Sequence, residues 1–282
     1  MKVFLQSEAD TIHNIVRFRP FSYGPCTLVD NPEDAEIILG RSLFDSSPMF
    51  EKHEEKFLFA LDDDNPSKAY LTKAICLVGQ PIPSATHEQH LKARCIPMPM
   101  LNPEAETFYR SSPNLVREYR RKERKYNYTF HGDLSTNPGC RNFLDTLRLP
   151  KFDYNSTKHR YGQANRKSAV ERQLEFGEYM SALADATFCF CPRGAGSSSY
   201  RVYEALMVGT IPIITDKIDY PFDRDVAWDG FAVRGSRDQD FNFLLNLPIE
   251  QMREGGARFY DEYVNPVLGY PRLIEKVREM LQ

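Results

Sequence analysis

The stretch FCFCPRGAGSSSYRVYEALMVGTIPIITD, from Phe188 to Asp216, constrains the fold more than any other part of the chain. Its first and last segments are continuous apolar runs, and the segment between them has the apolar spacing of a helix. Continuous apolar runs on either side of a helix are typical of strands that are buried on both faces of a sheet. We therefore predict an α/β fold, with a strand over Thr187–Cys191, a helix over about Ser198–Val208 and a strand over Ile211–Thr215.

The rest of the chain repeats this alternation in two halves. The first half predicts strands over Lys2–Leu5, Ala35–Leu39, Lys56–Leu61 and Ala74–Val78. A second α/β pattern begins with a strand and a turn over Tyr126–Gly132. We expect domains at residues 1–122 and 123–260, with a C-terminal helix at 261–282 that returns to the first domain. Two such domains leave a cleft between them, and ligands of open α/β sheets bind beyond the carboxyl ends of the strands.

Three further segments carry predictions about local structure. A helix is expected from Ser168 to about Asp185, because apolar residues recur at helical spacing at Val170, Leu174, Tyr179 and Leu183. The polar stretch before it, residues 149–168, has no clear periodicity and predicts a surface loop. The basic stretch at 117–125 is interpreted either as a solvated helix or linker, or as a basic lip over an acidic acceptor.

Composition excludes several classes of protein. The 282 residues carry a formal net charge of −3, which argues against a general nucleic-acid surface. No stretch approaches the roughly 18 consecutive apolar residues of a membrane span. The N-terminus becomes polar too early for a signal peptide, and the six cysteines need not form disulfides in a chain of this length. We therefore expect a soluble, cytoplasmic protein.

The loop between the two strands of the opening stretch has the features of an anion site. Gly194 lets a ligand approach the backbone closely, and the serines near the start of the helix are Ser197, Ser198 and Ser199, of which either of the last two is a natural N-cap. A helix N-terminus favours phosphate because its N–H groups are free and its dipole is positive there. A nucleoside diphosphate fits this spacing, with its phosphates at the helix tip and at Arg193 and Arg201, and its ribose at Glu204.

Two common nucleotide-binding patterns are missing from this loop. The Walker A pattern requires Gly-Lys followed by Ser or Thr, and no lysine follows these glycines. The dinucleotide fingerprint requires a third glycine at the position where Ser199 stands. The loop by itself is therefore also compatible with structural packing that involves no ligand.

The same residues and those that follow them resemble the signature region of exostosin-like glycosyltransferases (family 47). That family shows Phe-Cys-x-x-Pro-Arg-Gly, then Ser-x-Arg-x-x-Glu-Ala-Leu, then Gly-x-x-Pro-x-Ile-x-x-Asp, and then Pro-Phe and a Trp–Phe–Val run. All these elements occur here in order, the last ones at Pro221, Phe222, Trp228, Phe231 and Val233. The stretch TFHGDLSTNPGCRNFLD resembles the opening of the family's donor domain, which places Gly132 and Arg141 near the donor.

The resemblance implies a GT-B fold: two Rossmann-like domains face each other across a cleft, with the donor in the C-terminal domain and the acceptor in the N-terminal one. It implies an inverting transfer of a sugar from a UDP-sugar to an oligosaccharide or glycoprotein acceptor, with no required metal. The chain resembles the short soluble, virus-encoded type of this family, which is xylosyltransferase-like. The expected donor is therefore UDP-xylose and the acceptor a fucose- or rhamnose-containing glycan. Galactosyl-, glucuronosyl- and arabinosyltransferases of the family are alternatives.

An inverting displacement needs a general base near the acceptor hydroxyl. The candidates are Asp62, Asp63 and Asp64, which follow a predicted strand, although a solvated turn is an equal interpretation. The same run is compatible with a metal-dependent GT-A transferase, in which Asp62-x-Asp64 would hold Mn²⁺ or Mg²⁺ with the diphosphate. His131 is expected to contact the donor phosphates or to hydrogen-bond its turn, and Asp216 to contact a donor-sugar hydroxyl or to stabilise a turn. An inactive carbohydrate-binding protein is a further alternative.

Overall fold

The structure is a computed structural model that describes residues 1–5, 26–40, 48–61, 75–78, 95–97, 102–156, 168–194, 199–216, 222, 226–266 and 269–282. The strands in this part of the chain are β1 (Lys2–Leu5), β2 (Thr27–Leu28), β3 (Ile37–Gly40), β4 (Phe57–Leu61), β5 (Ile75–Val78), β6 (Cys95–Pro97), β7 (Tyr126–His131), β8 (Phe152–Asn155), β9 (Ala186–Phe190), β10 (Ile211–Ile214) and β11 (Val233–Arg234). The helices are α1 (Pro48–His53), α2 (Pro103–Ser111), α3 (Pro113–Arg121), α4 (Pro138–Arg141), α5 (Ala169–Ala184), α6 (Tyr200–Met207), α7 (Ile249–Phe259) and α8 (Gly269–Leu281).

The chain divides into two compact units, each built on one parallel sheet. The first unit comprises Met1–Pro99, Asp219–Phe222 and Glu262–Gln282, and the second comprises Met100–Ile218 and Asp223–Asp261. The strand order is β2-β1-β3-β4-β5-β6 in the first sheet and β11-β10-β9-β7-β8 in the second. The α/β class and the two Rossmann-like parallel sheets, as expected of a GT-B protein, are confirmed.

The core of the first unit combines its strands with the C-terminal helix. Val3, Ile37 and Leu58 come from three neighbouring strands, and all three side chains are fully buried. Helix α8 covers them with Leu273, Ile274 and Val277, which lie on one face of the helix. The last segment of the chain therefore belongs to the unit in which the chain begins.

The core of the second unit is largely aromatic. Tyr128 and Phe130 of β7 pack beside Phe188 and Phe190 of β9, and Phe241 closes the cluster edge-on to Phe190. The hydroxyl of the fully buried Tyr128 donates a hydrogen bond of 2.8 Å to the carbonyl oxygen of Phe241. Its polar atom is therefore satisfied inside the core, as buried hydroxyls require.

The predicted division at residue 122 differs from the observed one, which falls between Pro99 and Met100. Helices α2 and α3 precede residue 122, yet they pack in the second unit. Phe108 of α2 contacts Phe176 of α5 edge-on, with 5.8 Å between ring centroids. The helical segment therefore packs against α5 in the second unit, and the proline-rich turns of the sequence alone could not show which unit it would join.

Helix α5 begins where the sequence predicts, and its buried residues lie in its later turns. The side chain of Ser168 accepts from the backbone N–H of Glu171, whose carboxylate accepts from the backbone N–H of Ser168, forming a capping box. Of the four apolar residues at helical spacing, Tyr179 and Leu183 are buried. Val170 and Leu174, in the first turns, are 68% and 67% exposed. Phe176 is the first buried residue of the helix, so the apolar spacing begins in turns that are not part of the core.

The expected surface loop at 149–168 is wrong for residues 152–155, which form β8. This strand pairs in parallel with β7 along its whole length, from Phe152 opposite Tyr128 to Asn155 opposite His131. It lies at the edge of the sheet, and its four residues are half-buried. Short, half-buried edge strands lack the apolar run by which buried strands are identified from sequence.

The basic stretch at 117–125 holds together the ends of other helices. The guanidinium of Arg120 forms two hydrogen bonds, of 2.7 and 2.9 Å, with the Asp261 carboxylate and donates to the carbonyl oxygen of Met207. Arg124 donates to the carbonyl oxygens of Ala184, Val208 and Gly209. Cations favour helix C-termini because free carbonyls and the negative end of the dipole meet there. These two arginines are therefore structural, and neither contributes to a basic lip.

Within the described ranges, no helix combines the length and the apolar character that crossing a membrane requires.

Candidate functional site

The candidate site lies along the edge of the second sheet where three neighbouring strands end. Strands β7, β9 and β10 are parallel neighbours, so their carboxyl ends meet at one edge. His131 ends β7, the segment 191–194 follows β9, and Asp216 follows β10. Helix α6 begins at Tyr200 after the same loop, with Ser199 at its N-cap position. This is the edge at which ligands of open α/β sheets bind.

Arg201 is a buried cation of the site. It is only 9% exposed, and its guanidinium lies over the ring of Phe130, 4.5 Å from the centroid. Its Nη2 donates to the carbonyl oxygen of His131 at 2.8 Å, and its Nε donates to the hydroxyl of Tyr179 at 3.3 Å. Its Nη1 is buried and has no hydrogen-bond partner in the part of the chain that the structure describes. A buried charged donor without an acceptor is costly, so this nitrogen is available to an anion.

Gly132 lies directly against this arginine, so a side chain there would overlap the guanidinium in its observed position. A Cβ built on Gly132 would overlap the Nη2 of Arg201 and would lie 3.3 Å from the Cζ of Phe130. Its backbone N–H donates to the carbonyl oxygen of Asn155 at 3.0 Å. The glycine therefore lets the guanidinium lie directly against the end of β7.

Two further arginines bring positive charge to the same edge. Arg141 is buried, and its guanidinium donates to the carbonyl oxygens of Arg193, at 3.1 Å, and Asp133, at 2.6 Å. Burial, and then the positive charge of Arg201, lowers the pKa of Arg141 to about 10. The Nε of Arg193 is buried and, like the Nη1 of Arg201, has no partner among the described residues. An excess of mutually repelling cations with unused donors is the arrangement that a bound anion would stabilise.

Glu204 lies one turn into α6 and is 4% exposed. Its Oε2 accepts a 2.8 Å hydrogen bond from the hydroxyl of Tyr179, and its Oε1 accepts a 3.3 Å bond from the Nδ2 of Asn102. Burial raises the pKa of the Glu204 carboxyl, and these hydrogen bonds and the charge of Arg201 act against that shift. The pKa of Tyr179 is also raised, first by burial and then by the charge of Glu204. The predicted contact of Glu204 with a ribose stays a prediction, and each of its oxygens keeps a further lone pair for it.

His131 and Asp216 both have partners within the protein. The Nε2 of His131 lies 2.8 Å from an Oδ2 of Asp153, on the unpredicted strand β8. The Oδ2 of Asp216 accepts from the backbone N–H of Arg193 at 3.0 Å, and its Oδ1 accepts from the Arg237 guanidinium. Of the two roles expected for Asp216, these contacts fit the structural turn, because the carboxylate ties the segment after β9 to β10.

The structure brings together most of the residues that the sequence singles out for donor binding. They are His131, Gly132, Arg141, Arg193, Gly194, Ser199, Arg201, Glu204 and Asp216. Ser199 occupies the N-cap position, and its side chain makes no capping hydrogen bond there. Ser197, Ser198 and the candidate bases Asp62, Asp63 and Asp64 lie outside the described residues.

Sequence reasoning missed Tyr179 and Asn102 as members of this site. Tyr179 has the spacing of a core residue on α5, and it is buried like one. Asn102 is 102 positions away from Glu204 in the chain. Neither position carries a local pattern that separates a buried polar contact from ordinary packing or helix capping.

The sequence profile of the Exostosin GT47 domain matches residues 58–243, well over half of the chain. The chain belongs to the exostosin-like GT47 family. The match covers all the residues of the candidate site, and it extends from β4 in the first unit to beyond β11 in the second. The family predicted from the signature region is therefore confirmed.

Individual relatives are similar over parts of their length. The Exostosin-1 homolog of Caenorhabditis elegans is 27% identical over 167 residues, which cover 51% of this chain and 42% of that protein. The Ribitol-5-phosphate xylosyltransferase 1 of Danio rerio is 25% identical over 163 residues, which cover 57% of this chain and 32% of that protein. The matches thus span less than half of either relative. A crystal structure of alpha1,3-Fucosyltransferase aligns with a TM-score of 0.46 and 13% identity, over 100% of this chain and 90% of that one.

Proposed function

We propose that this protein is an inverting glycosyltransferase that transfers a sugar from a UDP-sugar to a hydroxyl group of a glycan acceptor. The observation that carries the proposal is the group of three arginines, Arg141, Arg193 and Arg201, at the carboxyl edge of the second sheet. Two of them hold buried nitrogens without partners in the described part of the chain. Membership of the GT47 family makes a nucleotide-sugar diphosphate the anion that this group would bind.

The arginines would act on the leaving group. When the sugar departs, negative charge develops on the diphosphate, and fixed cations in a site that excludes water stabilise that charge most effectively. Arginine stays protonated throughout and donates in a planar fork that matches phosphate oxygens. The N-terminus of α6 adds the positive end of its dipole. Under this proposal the protein needs no divalent metal to stabilise the leaving UDP.

The remaining roles divide between the units. Glu204 would accept hydrogen bonds from the ribose hydroxyls, because it lies one turn beyond the phosphate-binding end of α6. Asp62, Asp63 or Asp64 would take the proton from the acceptor hydroxyl as it attacks the anomeric carbon on the face opposite the leaving UDP. One direct displacement of this kind inverts the anomeric configuration.

UDP-xylose is our proposed donor. The support is the similarity to a relative whose name describes it as a xylosyltransferase, together with the signature resemblance. A pocket separates xylose from hexoses by excluding one hydroxymethyl group, a discrimination of about 1–3 kcal/mol. The proposed acceptor is an oligosaccharide or a glycoprotein glycan that contains fucose or rhamnose.

Isothermal titration calorimetry with UDP tests the central claim. The wild-type protein should bind UDP, and Arg201→Gln should weaken binding by about 10- to 100-fold, because one charged donor pair is lost. Arg234→Gln is the matched control, because the Arg234 side chain is 54% exposed and pairs with Asp229 outside the site. Failure of wild type to bind UDP or any UDP-sugar would overturn the proposal. Binding of an oligosaccharide alone would then favour a carbohydrate-binding protein.

A transfer assay tests the donor, the base and the metal. UDP-xylose should be the best substrate among UDP-xylose, UDP-glucuronate, UDP-galactose, UDP-glucose and UDP-arabinose. Asp62, Asp63 and Asp64 should be replaced one at a time with asparagine. The variant that lacks the general base should lose sugar transfer and still bind UDP. Transfer should survive EDTA. Loss of activity in EDTA that Mn²⁺ restores would contradict the metal-free mechanism and favour the metal-dependent alternative at Asp62-x-Asp64.

A further inference from the structure

Tyr179 joins the two parts of the candidate site that carry opposite charge. Its ring lies on the buried face of α5, 5.8 Å from the ring of Phe176. Its hydroxyl is within hydrogen-bond distance of the Glu204 carboxylate, at 2.8 Å, and of the Arg201 guanidinium, at 3.3 Å. Among the described residues, no direct ion pair joins Arg201 to Glu204, so the tyrosine hydroxyl is the link between them.

The chemistry of the three groups determines the direction of the two hydrogen bonds. A guanidinium can only donate, and an ionised carboxylate can only accept. The hydroxyl of Tyr179 therefore donates its proton to Glu204 and accepts from the Nε of Arg201. Each bond strengthens the other, because the carboxylate polarises the hydroxyl oxygen toward the cation.

The other oxygen of Glu204, Oε1, accepts a hydrogen bond from Asn102, the N-cap residue of α2. The Nδ2 of Asn102 donates to it at 3.3 Å, while the Oδ1 of the same amide accepts from the backbone N–H of Glu104 at the start of α2. That capping bond fixes which end of the amide faces Glu204, because only the nitrogen can donate. The carboxylate is therefore oriented by donors from two helical segments.

We propose that Tyr179 is a positioning residue of the donor site, which holds the ribose-binding carboxylate of Glu204 and the phosphate-binding guanidinium of Arg201 in one fixed arrangement. This inference rests on the function proposed above. The tyrosine does not touch the donor in this scheme; it sets the relative placement of two groups that do. Positioning of this kind lowers the ordering cost of binding a ligand that must contact both groups.

The expected consequence is a loss of donor affinity. In Tyr179→Phe the ring and its packing remain, while Glu204 loses a donor and Arg201 loses an acceptor. We expect the Kd for UDP, measured by calorimetry, to rise by about tenfold or more, as for lost hydrogen bonds to charged groups. In a transfer assay the KM for the UDP-sugar should rise, with a much smaller change in kcat, because binding common to ground state and transition state is lost.

Tyr128→Phe is the matched control. Tyr128 is a fully buried tyrosine of the same unit, and its hydroxyl also makes a 2.8 Å hydrogen bond, to the carbonyl oxygen of Phe241. Both variants lose one buried phenol hydroxyl, so both should lower the thermal unfolding midpoint. Only Tyr179→Phe should weaken UDP binding. In a Glu204→Gln background the effect of Tyr179→Phe on UDP affinity should be smaller, because the two residues act through each other.

Three outcomes are distinguishable. Weaker UDP binding in Tyr179→Phe alone supports the inference. Unchanged binding in Tyr179→Phe, or a loss no greater than in Tyr128→Phe, overturns it and leaves the proposed function intact. A wild-type protein that binds neither UDP nor a UDP-sugar overturns both.

Discussion

Replacing Gly132 with alanine should move the Arg201 guanidinium out of its observed position. The added methyl group would overlap the Nη2 of Arg201 and would lie 3.4 Å from its Cζ. The flexible end of an arginine can usually yield, but this one is enclosed. The ring of Phe130 lies on one side of it, and its hydrogen bonds to His131 and Tyr179 hold it in place.

The expected loss of stability and of UDP affinity can be estimated from the hydrogen bond that the methyl group would break. The overlapping nitrogen is the one that donates to the His131 carbonyl oxygen at 2.8 Å. A hydrogen bond made by a charged group contributes about 1.5–3 kcal/mol. If the displaced guanidinium also fails to meet the diphosphate, the same range corresponds to a loss of roughly 10- to 150-fold in UDP affinity.

Calorimetry with UDP and thermal unfolding, performed together, measure both effects. Gly132→Ala should show weaker UDP binding and a lower unfolding midpoint. Gly230→Ala is the control, because a Cβ at that position meets no atom within 4 Å and its φ is not positive. An unchanged affinity for UDP in Gly132→Ala, beside an unchanged Gly230→Ala, would refute the reasoning. This result would mean that UDP affinity does not depend on the position of the Arg201 guanidinium at the end of β7.

Three other changes give independent checks of the structure. Burial raises the pKa of the Glu204 carboxyl above its ordinary value of 4.5. The folded protein therefore binds the carboxyl proton more tightly than the unfolded chain does. This linkage stabilises the folded protein at low pH, and the stabilisation is lost as the pH rises through the pKa of Glu204 in the folded state. Glu204→Gln should therefore flatten the dependence of the unfolding free energy on pH above 4.5, measured by urea denaturation, and an unchanged slope would contradict the burial of this carboxyl. Gly177→Ala, within α5, should raise the free energy of unfolding by about 0.5–1 kcal/mol. The added Cβ would meet only the ring of Phe108, at an ordinary contact distance of 3.8 Å. A destabilised variant would show that α2 and α5 pack too closely to accept the methyl group. Arg237→Gln removes a hydrogen-bond donor to Asp216, and the Asp216 carboxylate in turn accepts from the backbone N–H of Arg193. The backbone amide of Arg193 should therefore exchange its hydrogen faster in this variant. An unchanged exchange rate would show that Asp216 holds the Arg193 backbone without Arg237.

Much of the fold could be predicted because it depends on short-range patterns. The strands β1, β3, β4, β5, β7, β9 and β10 all appear within about two residues of their predicted bounds. Most of them are runs of apolar residues, since a parallel strand is covered on both faces. Strand β7 (YNYTFH) instead alternates aromatic with polar residues. Strands β2, β6 and β11 were missed because they have only two or three residues each, too few to show a period. Strand β8 was missed because its four residues, FDYN, contain no apolar run.

Glycine, arginine and a helix start in one loop indicated an anion site from the sequence, although the same loop is also compatible with packing that involves no ligand. The partners of those residues could not be predicted. Asp216 has the residue type of a sugar contact or of a structural turn, and its hydrogen bond to the backbone of Arg193 fits the turn. The basic stretch at 117–125 was compatible with a solvated helix or linker or with a basic lip over an acidic acceptor, and its Arg120 and Arg124 bind helix C-termini.

The sequence by itself determined the α/β class, the parallel strands, the start of α5 and the family, because propensity, apolar period and motif order are properties of neighbouring residues. Only the tertiary structure decided which polar groups meet. Asn102 and Tyr179 reach Glu204 from positions 102 and 25 residues away, and Asp153 reaches His131 from an edge strand with no apolar run. A buried carboxylate must take its hydrogen bonds from whatever donors the packing brings near it. That choice depends on how helices cover the sheet, and no local pattern records it.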